Sequence, residues 1–320
     1  MTTRRQHYVW QDYLKPWATL KGKARQLWCL RWESLQPFLT DTKNVAVERD
    51  FYRLQALRDG DAEFVRWLAI NPKSNPKLAE LNEGWISKME NFSSLVRIAQ
   101  SHVGSSQMLM TELDAQMIEF QENAYSRMES DAVSQLTALQ DGDISFFDDD
   151  DQAVRFSFFL ASQYFRTKAM RDRIKVRFDT PADKERFDRT WPIFRYIFAT
   201  NVGYSIFAQR KTMKLQVVNA PKGTEFITSD QPAINTHGAF LSPETPIEEF
   251  ELFYPVSPTR AALISGHSIY QDVHGSVLDT LRIHYFNQAI EHVAYECLFA
   301  RSEGILQSIA PHFCSRPPAP

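Results

Sequence analysis

The chain has 320 residues, 43% hydrophobic and 13% aromatic with 23 Phe, which excludes wholesale disorder and allows one large or two small domains. Its 36 Lys and Arg against 39 Asp and Glu give a formal charge of −3, so no global cationic field exists to hold a nucleic-acid backbone. Cys29, Cys297 and Cys314 are too few and too scattered for a disulfide framework or a Cys-based zinc site, which fits a reducing, cytoplasmic setting.

The opening segment MTTRRQHYVWQDYL lacks the apolar run of roughly 7 to 15 residues that a secretory signal requires. Next, the apolar runs 26–32 and 35–40 flank Glu33-Ser34 and predict a hairpin with a very short turn and Pro37 on an edge strand. A short helix over 61–70 is closed by the Pro-rich cluster 71–76. Apolar residues at three- and four-residue spacing then predict long helices over 77–102, 106–139, 151–178 and 180–211. Thr180-Pro181-Ala182-Asp183 carries the N-cap hydroxyl, first-turn proline and carboxylate of a helix start, and Asp148 to Asp151 reads as a second start signal rather than an ion site. The most apolar stretch, 191–207, is interrupted by Pro192, Arg195 and Asn201 and is too short to span a bilayer. It reads as a core helix, although its aromatics and single Arg would also suit a membrane surface.

Beyond residue 211 the period changes. Runs at 213–219, 225–228, 250–256 and 260–265 predict a small antiparallel sheet, and a last helix follows over 276–301. The expected fold is a mainly helical α+β domain over 1–314, with the N-terminal hairpin joining or abutting the C-terminal sheet and residues 315–320 forming a tail. P-loop, dinucleotide-binding, nucleophile-elbow, His-Glu-x-x-His and base-deaminase signatures are all missing.

What remains is polar residues in apolar surroundings. On the 151–178 helix, Gln163, Arg166, Thr167 and Arg171 fall at three- and four-residue spacing, so amide, hydroxyl and two guanidinium groups share one face. That face suits a planar anion, or else its arginines pair with Glu122 or Glu129 of the preceding helix. Ser229 and Asp230 end a strand before Pro232, a rigid place for a metal ligand or general base and equally for an ordinary turn. His7 could act as acid, base or ligand with Gln11 one helical turn on, or be a satisfied polar residue. His284, Asn287 and Gln288 share a helix face, and the remaining histidines, His237, His267 and His274 among them, show no ligand-like pairing in sequence.

In order along the chain, His7-Tyr8-Val9 with Tyr13-Leu14, the KNVAVERDFY run at 43–52, Gln163 with Arg166-Thr167 and Arg171, Thr228 to Pro232, Tyr254 to Pro258, and Asn287 resemble a bacterial pattern, that of the domain-of-unknown-function family 4238. Trp10 departs from it, standing where the family has proline. The resemblance implies an architecture and a set of polar residues converging on one site, without a reaction.

One expectation is a metal-assisted hydrolase acting on phosphodiesters, a nuclease-like defence or toxin effector, in which Asp230, Glu122 and His7 hold Mg²⁺ or Mn²⁺ while Arg166 and Arg171 neutralise phosphoryl charge. His7, Asp230, Arg166 and Arg171 are then catalytic, and Gln11, Gln163, Thr167, Ser229 and Asn287 bind substrate. The alternative is a non-catalytic binding or sensor protein that recognises an anionic ligand or partner through the Arg/Gln face. In a third reading the same residues form a buried network that only fixes the packing.

Overall fold

A computed structural model describes residues 4–70, 75–101, 107–270 and 272–313. The chain begins with β1 (Arg5–His7), α1 (Gln11–Leu14), β2 (Thr19–Lys21), β3 (Ala24–Arg31), β4 (Phe38–Asp41) and β5 (Val47–Arg49). A helical block follows: α2 (Asp61–Ala69), α3 (Pro76–Ser101), α4 (Gln107–Asp141), α5 (Asp150–Phe165), α6 (Lys168–Lys175) and α7 (Pro181–Ala208). The remainder is β6 (Lys214–Asn219), β7 (Thr228–Ser229), β8 (Ile234–Asn235), α8 (Thr236–Ala239), β9 (Leu252–Ser257), β10 (Arg260–Ser265), α9 (Thr280–Val293), β11 (Cys297–Ala300) and α10 (Glu303–Phe313). The mainly helical α+β class expected from the sequence is thus the class observed.

Local signals set the helix starts. Thr180 caps α7 by accepting the Asp183 amide at 3.0 Å, and Asp149, inside the acidic run, caps α5 by accepting the Gln152 amide at 2.9 Å. The apolar faces of α5 and α7 pack Phe156, Phe159 and Leu160 on one side and Phe194 and Ile197 on the other into the interior. The two helices come close at Gly203, where an added Cβ would lie 2.9 Å from the Phe158 Cα. Among the described residues no helix is long and apolar enough to cross a membrane.

One predicted helix is two. The periodicity over 151–178 runs unbroken, but α5 stops at Phe165, and Thr167 turns extended and caps α6 by accepting the Met170 amide at 3.3 Å. A threonine hydroxyl competing for a backbone amide ends one helix and starts the next. Gln163, Arg166, Thr167 and Arg171 therefore do not share one helical face.

The strands form three sheets: β1 with β5, β6-β10-β9-β8, and β2-β3-β11-β7 with β4 also on β3. The N-terminal hairpin exists as β3 and β4, paired Cys29 with Phe38, but its connection spans 32–37 rather than a two-residue turn, with Leu35 at a positive φ of 52°. The hairpin joins β11 and β7, not the β6–β10 sheet. The single helix predicted over 276–301 is also corrected: α9 ends at Val293 and residues 297–300 pair antiparallel with β3 as β11. The 71–76 break lies mostly, and the 315–320 tail wholly, outside the described residues.

Since α5 and α7 touch backbone to backbone at Gly203, Gly203→Ala is expected to destabilise the protein by about 1 to 3 kcal/mol despite alanine's better helix propensity, through overpacking. Urea denaturation of the two proteins measures it, and an unchanged or raised midpoint would contradict the close approach.

Candidate functional site

The break between α5 and α6 places the motif residues in two different environments. Arg166 points inward and is 1% exposed, donating to Glu129 Oε1 of α4 at 2.6 Å and to Gln163 Oε1 at 2.8 Å, with its guanidinium 5.4 Å from the Tyr125 ring centre. Burial opposes its charge, but Tyr52 and Glu129 outweigh that and hold it firmly protonated; burial likewise keeps the Glu129 carboxyl above its ordinary range. This is the interhelical ion pair anticipated as one of two readings. Removing one member of such a pair strands the other charge, at about 3 to 5 kcal/mol.

Asp230 is spent on the backbone. Its carboxylate accepts the amides of Tyr295 at 2.8 Å, Glu296 at 2.6 Å and Cys297 at 3.2 Å. Ser229 accepts the Gln231 amide at 3.0 Å, and Asn287 bridges the Ile227 amide and the Glu225 carbonyl at 3.0 and 2.9 Å. Thr167 donates to Gln231 Oε1, tying the α5–α6 break to the 228–232 turn. These expected binding residues each make contacts that shape the chain itself.

His7 and Gln11 do meet, with 2.5 Å between the imidazole Nε2 and the amide nitrogen. Burial, reinforced by Arg5 and Arg166, lowers the His7 pKa to about 4, so the ring is neutral at pH 7. Burial and neighbouring Glu129 push Glu122 up to about 7 against the pull of Arg166. The expected metal set is not assembled, however. Among the described residues, the three-member metal-ligand group with all ligand atoms within 4.8 Å is His237, Glu251 and His267, and His7, Glu122 and Asp230 are not such a group. Asp230 faces the start of β11, whereas Glu122 faces Glu129 and Arg166.

Arg171 lies elsewhere, in the wall of a cavity of about 690 Å³ between the helical block and the β5 region. Five arginines (Arg53, Arg58, Arg171, Arg189 and Arg195) line it against three acids (Glu48, Asp50 and Asp188). The acids are engaged by Lys168, Arg4 and Lys175, and Arg189 by buried Asp61 at 2.7 Å. Arg195 differs. It is 1% exposed, donates to Gln121 and stands 4.6 Å over the Tyr52 ring, yet no carboxylate among the described residues lies within ion-pair distance. Its Nε, the Trp191 indole nitrogen and Asp188 Oδ1 are buried without a hydrogen-bond partner. Burial lowers the Arg195 pKa, but a guanidinium does not deprotonate near neutrality. Its signal was visible in the sequence as the one charge inside the apolar run 191–207, which a buried helix tolerates only with a partner.

The Glu122 carboxyl titrates higher in the fold than its ordinary value of 4.5, so the native state holds the extra proton between 4.5 and about 7. Its contribution to stability is present at low pH and lost as pH rises through 7. Relative to the parent, Glu122→Gln should therefore gain stability between pH 4.5 and 7.5 in urea denaturation; a difference independent of pH would show that Glu122 is not held protonated.

No curated protein and no solved structure matches the chain. A family model described as "Protein of unknown function (DUF4238)" matches residues 5–304. That match takes in β1, the helical block and all three sheets, and the chain belongs to this family.

Proposed function

We propose that the protein binds a small anion, of phosphate or carboxylate type, in the arginine-lined cavity, as a binding or sensor protein. The observation that supports this is Arg195, a buried guanidinium with no carboxylate beside it. An uncompensated buried charge costs several kcal/mol, and the aromatic faces of Tyr52, Phe51 and Tyr125 offset part of that. An oxyanion in the cavity supplies the missing charge beside Arg195 and Trp191, two of its lining residues. The volume falls in the ordinary range for small-molecule sites. Arg171, predicted from sequence to meet an anion, lines the same cavity but is already paired with Asp172 at 2.8 Å, as Arg166 is with Glu129.

Thermal unfolding with inorganic phosphate, pyrophosphate and citrate tests this. A ligand of the native state raises the midpoint by mass action, and the rise is expected to vanish in Arg195→Met. Because that variant removes an unpaired charge, its stability without ligand should stay within about 1 kcal/mol of the parent. A midpoint rise that persists in Arg195→Met, or none with any of the three anions, overturns the reading.

Metal-assisted phosphodiester hydrolysis is the second reading. One observation favours it: Glu122, half-buried beside the Arg166–Glu129 pair with its pKa near 7, has the protonation equilibrium of a general acid or base. It predicts turnover of bis(p-nitrophenyl) phosphate with Mg²⁺ or Mn²⁺ that falls at least tenfold in Glu122→Gln; turnover absent from the parent, or unchanged in the variant, rejects it.

A further inference from the structure

Three chain segments meet at one edge of the β6-β10-β9-β8 sheet. β8 passes into α8, β9 begins just after Glu251 and β10 ends at Ser265, with Leu252 of β9 in register with both Asn235 and Ile264. This brings together histidines 30 positions apart: His237 Nε2 lies 3.0 Å from His267 Nε2. Glu249 Oε2 is 2.8 Å from His267 Nε2 and 3.6 Å from His237 Nε2. A Glu251 oxygen falls within 4.8 Å of both rings' ligand nitrogens. The two ring nitrogens and the Glu249 carboxylate oxygen thus face one another across a single small space.

The spacing has a physical counterpart. Ligand atoms at tetrahedral corners around zinc, with bonds of about 2.0 to 2.1 Å, lie about 3.3 Å apart, and the three separations here bracket that value. The backbone carrying them is already fixed. Asn235 accepts the amides of His237 and Glu251, each at 3.2 Å, and donates to the Glu249 carbonyl at 3.0 Å. Buried Glu251 is oriented by the hydroxyls of Thr236 and Ser265, each at 2.7 Å, and Ser265 in turn accepts the His267 amide at 3.1 Å. Ligands held by hydrogen bonds of this kind need little reorganisation to bind an ion.

We propose that His237, His267, Glu249 and Glu251 bind one zinc-class divalent transition metal. Two imidazoles with carboxylates suit zinc and its neighbours, whereas Mg²⁺ prefers oxygen alone. The ion ties residues 237, 249–251 and 267 to one another and fixes α8, whose Gly238 and capping Asn235 face a second cavity of about 460 Å³. The proposal is independent of anion binding at Arg195, which rests on other residues and another cavity.

The test uses the full chain stripped with chelator. Zinc is expected to bind at one equivalent per chain after dialysis, to raise the unfolding midpoint, and to be replaceable by Co²⁺ with the strong visible absorption of a tetrahedral site. All three signals should vanish in the His237→Ala/His267→Ala double variant. Glu249 is 59% exposed, so Glu249→Gln leaves the fold intact and should weaken zinc binding at least tenfold even if the double variant does not fold. Substoichiometric zinc, Co²⁺ absorption unchanged in the variants, or an equal midpoint rise with Mg²⁺ would overturn the assignment.

Discussion

One buried carboxylate sets where α9 stops and the central strand β11 begins. The amides of Tyr295, Glu296 and Cys297 follow the end of α9, and a helix that ran on would have used them internally. Asp230 takes all three. The helix stops, the chain extends, and residues 297–300 lie between β3 and β7 as a central strand. Burial pushes the Asp230 pKa up to about 6 and the three amides oppose that rise, so near neutral pH the charge persists because its acceptor sites are filled. Everything that depends on β11, including the joining of the N-terminal hairpin to the C-terminal half, depends on this contact.

The helical interior shows a complementary principle. Arg166 and Arg195 stand 5.4 and 5.7 Å from the centre of the same Tyr125 ring, and both are almost completely buried. Glu129 neutralises the first. Among the described residues the second has amide and aromatic contacts, and it lines the 690 Å³ cavity. Two guanidinium groups against the same ring therefore differ: one closes the packing between α4 and α5 through Glu129, and the other has no carboxylate within ion-pair distance among the described residues.

Features carried by neighbouring residues were legible in the sequence. The Thr180 and Asp149 caps and the bounds of α2 and α7 rest on local spacing, and the family resemblance on short motifs kept in order along the chain. Contests between local and distant partners were not legible. Thr167 looked like one more position on a helical face, and its choice of the Met170 amide split that face in two. Residues 294–300 read as helix because nothing nearby announces that Asp230 will claim their amides. His237 and His267 have no meaningful spacing along the chain, and only the β8-β9-β10 register makes them neighbours. Arg195 is intermediate: its place as the one charge in an apolar run was visible, but its contacts with Gln121, Tyr52 and Tyr125 come from distant segments.

The pairing of β3 with β11 also constrains how the molecule is made. Cys29 lies opposite Phe299, so the hairpin emerges from the ribosome early and waits for nearly the whole chain to be synthesised before its edge is covered. The α2–α7 block needs no such delay, because its helices pack on one another within residues 61–208. During synthesis the chain is a folded helical body beside an open strand carrying Trp28 and Leu30, the kind of edge through which chains pair with one another. A product cut short by its last few dozen residues is then not a slightly smaller version of the protein but a sticky one, in which a sheet edge made to be buried is left on the surface.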